Sequence, residues 1–220
     1  MIKTIRGHRA VLISCITSIG LAGCTVFGVS NVEEAAHTVL ISENEFELRE
    51  YAPVVVARTV VDAEFKEAGN TAFRRLFGYI SGDNSRAQKI AMTAPVISDN
   101  QADGKKIEMT APVIGEKSVT GWTYSFVLPS TYSIDTAPQP EDNRVELAKL
   151  PEKSVAVIRY SGLQKESLMQ NKLNELKQWM DGKSFVAVSA PRWAGYNPPF
   201  TLPWFRRNEV MIDVEQRAEQ

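Results

Sequence analysis

Residues 46–61 read FELREYAPVVVARTVV, and residues 145–160 read VELAKLPEKSVAVIRY. In both, an apolar-acidic-apolar triplet (Phe46-Glu47-Leu48, Val145-Glu146-Leu147) precedes a proline (Pro53, Pro151) and then a Val/Ala run. Apolar and polar residues alternate through each stretch, as they do on half-buried antiparallel strands. Each run leads into a segment of helical period. A duplicated β-α-β-β unit with a helix over each half is therefore expected.

Working outward, period-2 runs also occur at 121–128, 184–189 and 208–214. The clearest alternates Trp122, Tyr124, Phe126 and Leu128 with Thr123, Ser125 and Val127. The first helical stretch puts Phe65, Ala68, Ala72, Phe73, Leu76, Phe77 and Ile80 on one face and Lys66, Glu67, Asn70, Arg74 and Arg75 on the other. Asp62 is its expected N-cap and Gly78 or Gly82 its end. The second carries Leu168, Met169, Leu173, Leu176, Trp179 and Met180, with a possible capping box at 161–164 and a C-cap at Gly182. A tighter repeat, KIAMTAPVI at 89–97 and again at 106–114, brackets a turn-rich stretch and predicts a β-hairpin.

The chain has 220 residues, 44% hydrophobic and 23% charged, with net charge −1. That composition excludes a disordered chain and gives no positive field to attract nucleic acid. It bounds the chain to one domain plus a short tail. Residues 1–9 are basic through Lys3, Arg6 and Arg9, and 10–21 form an apolar run of about a dozen residues, too short to span a bilayer. Leu21-Ala22-Gly23-Cys24 follows and resembles a bacterial lipobox. That resemblance implies removal of residues 1–23 and a diacylglycerol thioether on Cys24. The net charge then falls to −4, so acyl chains rather than charge would hold the protein to the membrane. Thr25 in place of an aspartate favours the outer membrane of a Gram-negative bacterium, periplasmic face. Cys15 leaves with the signal, so no disulfide forms within the mature chain. Residues 24–43 read as a tether, 44–214 as the domain and 215–220 as a tail.

The doubled MTAPVI, together with FRRLFGYISGDNSRAQKIAMTAPV (73–96), YSFVLP (124–129), VAVIRYSG (155–162) and YNPPFTLPWFRRNEVMIDV (196–214), is similar to the SOUL haem-binding family over about 43–214. The resemblance implies an α+β fold: a distorted antiparallel β-barrel with two flanking helices and a pseudo-twofold repeat. It also implies a non-covalent haem or other porphyrin ligand, placed against the first helix and the loop before the last strand. Carried onto this sequence, the candidate haem-binding residues are Asn70, Phe73, Arg74, Phe77, Tyr196, Phe200 and Leu202.

Read from the residues alone, several alternatives stand open. Phe73 and Phe77 are core or groove; Phe77, beside Leu76 and Ile80, is expected mostly in the core and Phe73 mostly in the groove. Arg74 and Arg75 are a solvated helix face or propionate partners. The aromatics of 196–205 cap the barrel or line a groove. The 206–209 cluster is structural, or Arg206 or Arg207 clamps an anion. His37 is the one mature histidine and falls in the expected tether, so strong axial ligation of iron is not expected. Met92, Met109, Met169 and Met180 read as packing. No nucleophile–histidine pair, metal-ligand spacing or phosphate loop appears, which argues for a binding protein rather than an enzyme. Two other readings remain. One is a pocket for bulky apolar cations, like the effector domains of multidrug-responsive regulators, using Glu47, Glu108 or Glu146 as its carboxylate. The other is an envelope protein-interaction module.

Overall fold

The computed structural model describes residues 32–100, 121–198 and 200–217. The lipobox with Cys24, the second MTAPVI copy with Met109 and Glu108, and residues 218–220 lie outside the described residues. The strands are β1 (His37–Glu43), β2 (Phe46–Tyr51), β3 (Val54–Val61), β4 (Val96–Asn100), β5 (Trp122–Val127), β6 (Val145–Leu150), β7 (Lys153–Tyr160), β8 (Phe185–Ala187), β9 (Arg192–Gly195) and β10 (Asn208–Gln216). The helices are α1 (Phe65–Ser81) and α2 (Glu166–Gly182), and a short 3-10 turn spans Pro203–Phe205.

The strands form one antiparallel sheet in the order β1-β2-β7-β10-β9-β4-β5-β3-β6, with β8 also pairing β10. From β2 to β6 the order is a palindrome. β2 lies on β7 with Tyr51 opposite Lys153, and its counterpart β6 lies on β3 with Leu150 opposite Val54. Each half thus lends its first strand to the other half, and the halves meet where β4 pairs with β9. The expected α+β fold is present as a curled half-barrel whose end strands, β1 and β6, do not pair with each other.

Burial explains the patterning. On β7, Ala156, Ile158 and Tyr160 pack under α2, whereas Val155 and Val157 join Ala194, Tyr196 and Met211 on the other face. A strand covered on both faces loses clean alternation and reads as VAVI. α1 buries Ala68, Ala72, Leu76, Tyr79 and Ile80 against β3 and β5; α2 buries Met169, Leu173, Leu176 and Met180 against β7 and β10.

Several expectations are corrected. The tether ends before His37, because 37–43 form a strand on β2, and the last strand runs on to Gln216. The N-cap position of α1 is Glu64, without a side-chain cap bond, rather than Asp62; the helix does end at Gly82, one of the two expected positions, whose φ of 130° suits a residue without Cβ. The 161–164 capping box does not form, since α2 starts at Glu166 without a side-chain cap. The second arm of the expected hairpin, 106–114, lies outside the described residues, and the first arm is strand only from Val96. Residues 89–95 are irregular, Asp99 and Asn100 belong to the strand, and both edges of β4 are taken, by β5 and β9.

Candidate functional site: a groove at the seam of the two halves

α1 packs on β3 and β5 beside the seam between β4 and β9, and the space between the helix and the seam is not filled. A cavity of about 770 Å³ is lined by Asn70, Phe73 and Arg74 of α1, by Val96 and Ser98 of β4, by Tyr124, Gly195 and Gln164, and by Arg206 and Asn208. Gly69 lets the helix come close: a Cβ there would sit 3.0 Å from the Tyr124 hydroxyl, which donates to the Phe65 carbonyl at 3.0 Å. A second cavity of about 430 Å³ continues past the last pair of the β4–β9 ladder, Val96 opposite Gly195. Both cavities share Phe73, Val96, Gly195 and Asn197, and the second adds Met92, Tyr196 and Phe200. The combined space is within the range of small-molecule sites.

The candidate residues divide. Asn70, Phe73 and Arg74 line the larger cavity; Phe73, Tyr196 and Phe200 line the smaller. Phe77 and Leu202 line neither. Phe77 is 49% exposed, so its expected place in the core is corrected. At about 100° per residue it lies roughly 120° from the centre of the buried stripe, too far round to reach the sheet. Its ring instead stacks on Phe73 at 5.7 Å, and Phe73 meets Phe126 edge-on at 5.6 Å. Leu202 precedes the 3-10 turn, where its carbonyl accepts from the Phe205 amide.

Arg74 and Arg75 point to different tasks. Arg75 donates to the Val60 carbonyl at 3.1 Å and to Thr59 at 3.2 Å, tying α1 to β3. Arg74 is exposed on the cavity side. Arg206 donates from Nε to the Thr201 carbonyl at 2.8 Å while also lining the cavity. Met92 was read as packing, but it is 37% exposed on the smaller cavity.

Behind Tyr196 lies a buried charge cluster. Arg49 and Glu209 are fully buried and joined by two hydrogen bonds, 2.8 and 3.0 Å. Arg49 also reaches Glu47 at 2.6 Å and Tyr51 at 2.9 Å. Glu209 accepts from the Tyr196 hydroxyl at 2.6 Å and from Arg207 Nε at 2.9 Å. Arg207 lies 3.8 Å from the Tyr196 ring centre and bonds Glu34. Burial would raise the Glu209 carboxyl, but the hydrogen bonds and charge of Arg49, with Arg207, hold it below its ordinary value. Burial, with Glu209 beside it, pushes the Tyr196 hydroxyl well up. The cluster fixes the ring that walls the smaller cavity, so of the two readings for 206–209 the structural one describes Arg207 and Glu209.

The model of the family described as SOUL heme-binding protein matches residues 32–103 and 97–213. The chain belongs to the SOUL family. The match spans most of the sequence, and two kinds of relative extend it. Heme-binding protein 2 of Homo sapiens is 32% identical over 170 residues, 76% of this chain and 77% of that protein. Heme-binding protein 1 of Xenopus laevis is 26% identical over 177 residues, 78% of this chain and 87% of that one. Among solved structures, the EcmrR C-terminal domain superposes with a TM-score of 0.57 at 12% identity, covering 78% of this chain and 97% of that chain. A hydrolase from Listeria innocua superposes at 0.52 with 10% identity, covering 80% and 94%. At such identities the structures share the fold with this SOUL chain, nothing more.

The donor set of the SOUL groove can be tested against haem, a flat apolar disc with two carboxylates. Phe73, Val96, Met92, Tyr196 and Phe200 provide apolar walls, and Arg74 and Arg206 provide cations at the larger cavity. The residues fit such a group. Among the described lining residues no histidine or cysteine occurs, and the Tyr124 and Tyr196 hydroxyls are already engaged. His37 lines neither cavity; its Nδ1 is 3.0 Å from the Ala35 carbonyl. The carboxylates offered for a cation pocket are elsewhere: Glu47 is in the charge cluster and Glu146 is exposed and paired with Arg58. Among the described lining residues of the SOUL groove there is one carboxylate, Glu67.

Proposed function

We propose that this chain is a periplasmic lipoprotein, held to the outer membrane through acylated Cys24, that binds haem or a related tetrapyrrole without catalysing a reaction. The observation that carries the ligand is the continuous groove at the β4–β9 seam, apolar around Phe73 and cationic at Arg74 and Arg206. Membership of the SOUL family and the haem-binding relatives support the same ligand class. The ring would lie against Phe73 and Val96, with propionates toward Arg74 and Arg206 and Tyr196 held in place by Glu209. Burial of the apolar faces then drives binding, and the iron contributes little. A pocket for apolar cations has less support, because Glu67 shares its cavity with two arginines. Titration of the protein with haem and with metal-free porphyrin, followed in the Soret band, tests the reading. Comparable affinity for the two is the expected result; saturation by haem alone would mean an iron ligand, and no binding of either would sink the tetrapyrrole assignment.

A further inference from the structure

The aromatic side chains of the late loop are not all used by the groove. Phe200 is 61% exposed, Trp204 65% and Phe205 42%, and Leu163 beside them is 41% exposed. They form one face. The Gly162 amide donates to the Pro203 carbonyl at 2.9 Å, which sets Leu163 against the 3-10 turn, and the Trp204 and Phe205 rings lie 6.2 Å apart. The loop is held in shape by Pro198 and Pro203 and by hydrogen bonds from the Thr201 amide to the Pro198 carbonyl and from the Phe205 amide to the Leu202 carbonyl. Presenting these rings to a partner therefore orders little that is not already ordered.

We infer that this face docks on the lipid bilayer that carries the chain's own anchor. The inference rests on the acylated-Cys24 reading. Three observations select lipid as the occupant. Val32 lines the smaller cavity together with Phe200, which puts this point of the chain on the same side as the loop. Cys24 is eight residues earlier, and eight residues reach at most about 28 Å. An acyl chain at Cys24 thus keeps the aromatic face within reach of the headgroups. Second, residues 196–208 contain no carboxylate, so the loop that carries the rings brings no acidic side chain to oppose an anionic surface, and Lys165 is two residues from Leu163. Third, four side chains exposed to this degree present roughly 400 Å², about half of the 800 Å² per partner that a stable protein interface needs. Tryptophan in particular favours the water–hydrocarbon boundary. In this orientation Phe200, at the edge of the smaller cavity, is next to lipid, and an apolar ring can pass from the bilayer to the groove without crossing water.

The test uses the full mature lipoprotein in phosphatidylethanolamine–phosphatidylglycerol vesicles whose acyl chains carry bromine, which quenches nearby tryptophan emission. Trp193 is buried and Trp122 and Trp179 are half-buried, leaving Trp204 as the exposed fluorophore. Bromine should quench the native protein, and Trp204→Phe should remove about half of that quenching or more, with circular dichroism unchanged. Phe205→Ser, which keeps Trp204 but cuts the apolar face, should lower the quenching about twofold. Protein that floats with the vesicles while Trp204→Phe leaves quenching unchanged overturns the docking alone. Protein left in the supernatant overturns the anchor and the docking with it. Trp204 shielded from both bromine and aqueous acrylamide in a concentration-dependent dimer assigns the face to a second copy and overturns the lipid.

Discussion

Replacing Phe73 by alanine separates the groove from the core by magnitude. The Phe73 side chain is 39% exposed, packs edge-on against Phe126 and borders both cavities. An aromatic side chain carries about 200 Å². The covered part is then about 120 Å², and at about 25 cal/mol per Å² its loss costs up to about 3 kcal/mol. A partly collapsed denatured chain and the retained Cβ bring the expected loss nearer 2 kcal/mol. A fully enclosed phenylalanine would cost about 3–5 kcal/mol. The exposed remainder, about 80 Å², is what a bound ring would cover, worth up to about 2 kcal/mol and a weakening of about ten- to thirtyfold. Phe77→Ala is the control. It is more exposed and lines neither cavity, so by the same bookkeeping it should cost slightly less, about 1.7 kcal/mol, and change affinity less than about threefold. Urea midpoints and Soret titrations on both variants read the two quantities separately. A folded Phe73→Ala protein with native affinity would refute the placement of the groove, and a loss near 5 kcal/mol would return Phe73 to the core.

Arg74→Ala should weaken a dicarboxylate porphyrin about three- to tenfold and leave its dimethyl ester unaffected, because only the ionised propionates use the guanidinium; equal losses for both ligands would assign Arg74 a packing role. Glu209→Gln removes the buried charge facing Arg49 and leaves it paired with Glu47 at the edge of the cluster, so it should destabilise by about 3 kcal/mol at neutral pH. Because the folded Glu209 carboxyl is held below its ordinary 4.5, its stabilisation is complete above that value and is lost as pH falls through the lower folded value; the variant should lack this acid-side component in urea melts at successive pH values. Cys24→Ser should abolish acylation, checked by mass spectrometry of the N-terminal peptide; a mature terminus elsewhere would end the lipoprotein reading. His37→Ala should leave the Soret band of a haem complex unchanged, since the ring lines neither cavity, and a spectral shift would place it on the iron.

Both helices and seven of the ten strands were legible because their signals are local; β1 fell inside the expected tether, and β4 took up residues expected in a turn. The β10 pattern at 208–214 is carried by Val210, Ile212 and Val214 under α2, and the 153–160 run by the doubly covered β7. β9 was not legible: four residues, RWAG, hold no period long enough to detect, and it forms only because β4 and β10 flank it. Half of the groove was lost with it, since Gly195 sits on β9, and Gln164 and Asn208 reach the cavity only through the fold. Phe77 misled because a one-face reading admits any apolar residue within half a turn, whereas burial is decided by the narrower arc that touches the sheet. Glu209 was legible as part of a structural cluster, but its pairing with Arg49 was invisible for a different reason. Each looks like a solvent-facing strand charge until pairing across the sheet brings residues 160 apart in sequence into contact.

The twofold scaffold also explains why the groove occurs at one place. A repeat that swaps its first strands is filled over each half by its own helix, so each half has its own core under α1 or α2. The seam strands β4 and β9 have no helix dedicated to them. α1 reaches toward the seam at Gly69 and Phe73, while from the other half only the Gly162–Gln164 turn and residues 206–208 arrive. The space between them is walled by backbone-rich residues, Gly69 and Gly195, and by side chains that do not meet. Filling it from within the chain would need a larger residue at Gly195, where an added Cβ comes only to 3.4 Å from Gln164 Nε2. The fold tolerates that contact. Gly195→Leu should therefore leave the urea midpoint nearly unchanged while occupying the junction of the two cavities, and porphyrin binding should fall at least about tenfold. Retained binding in a folded Gly195→Leu protein would mean that the ligand does not cross the seam.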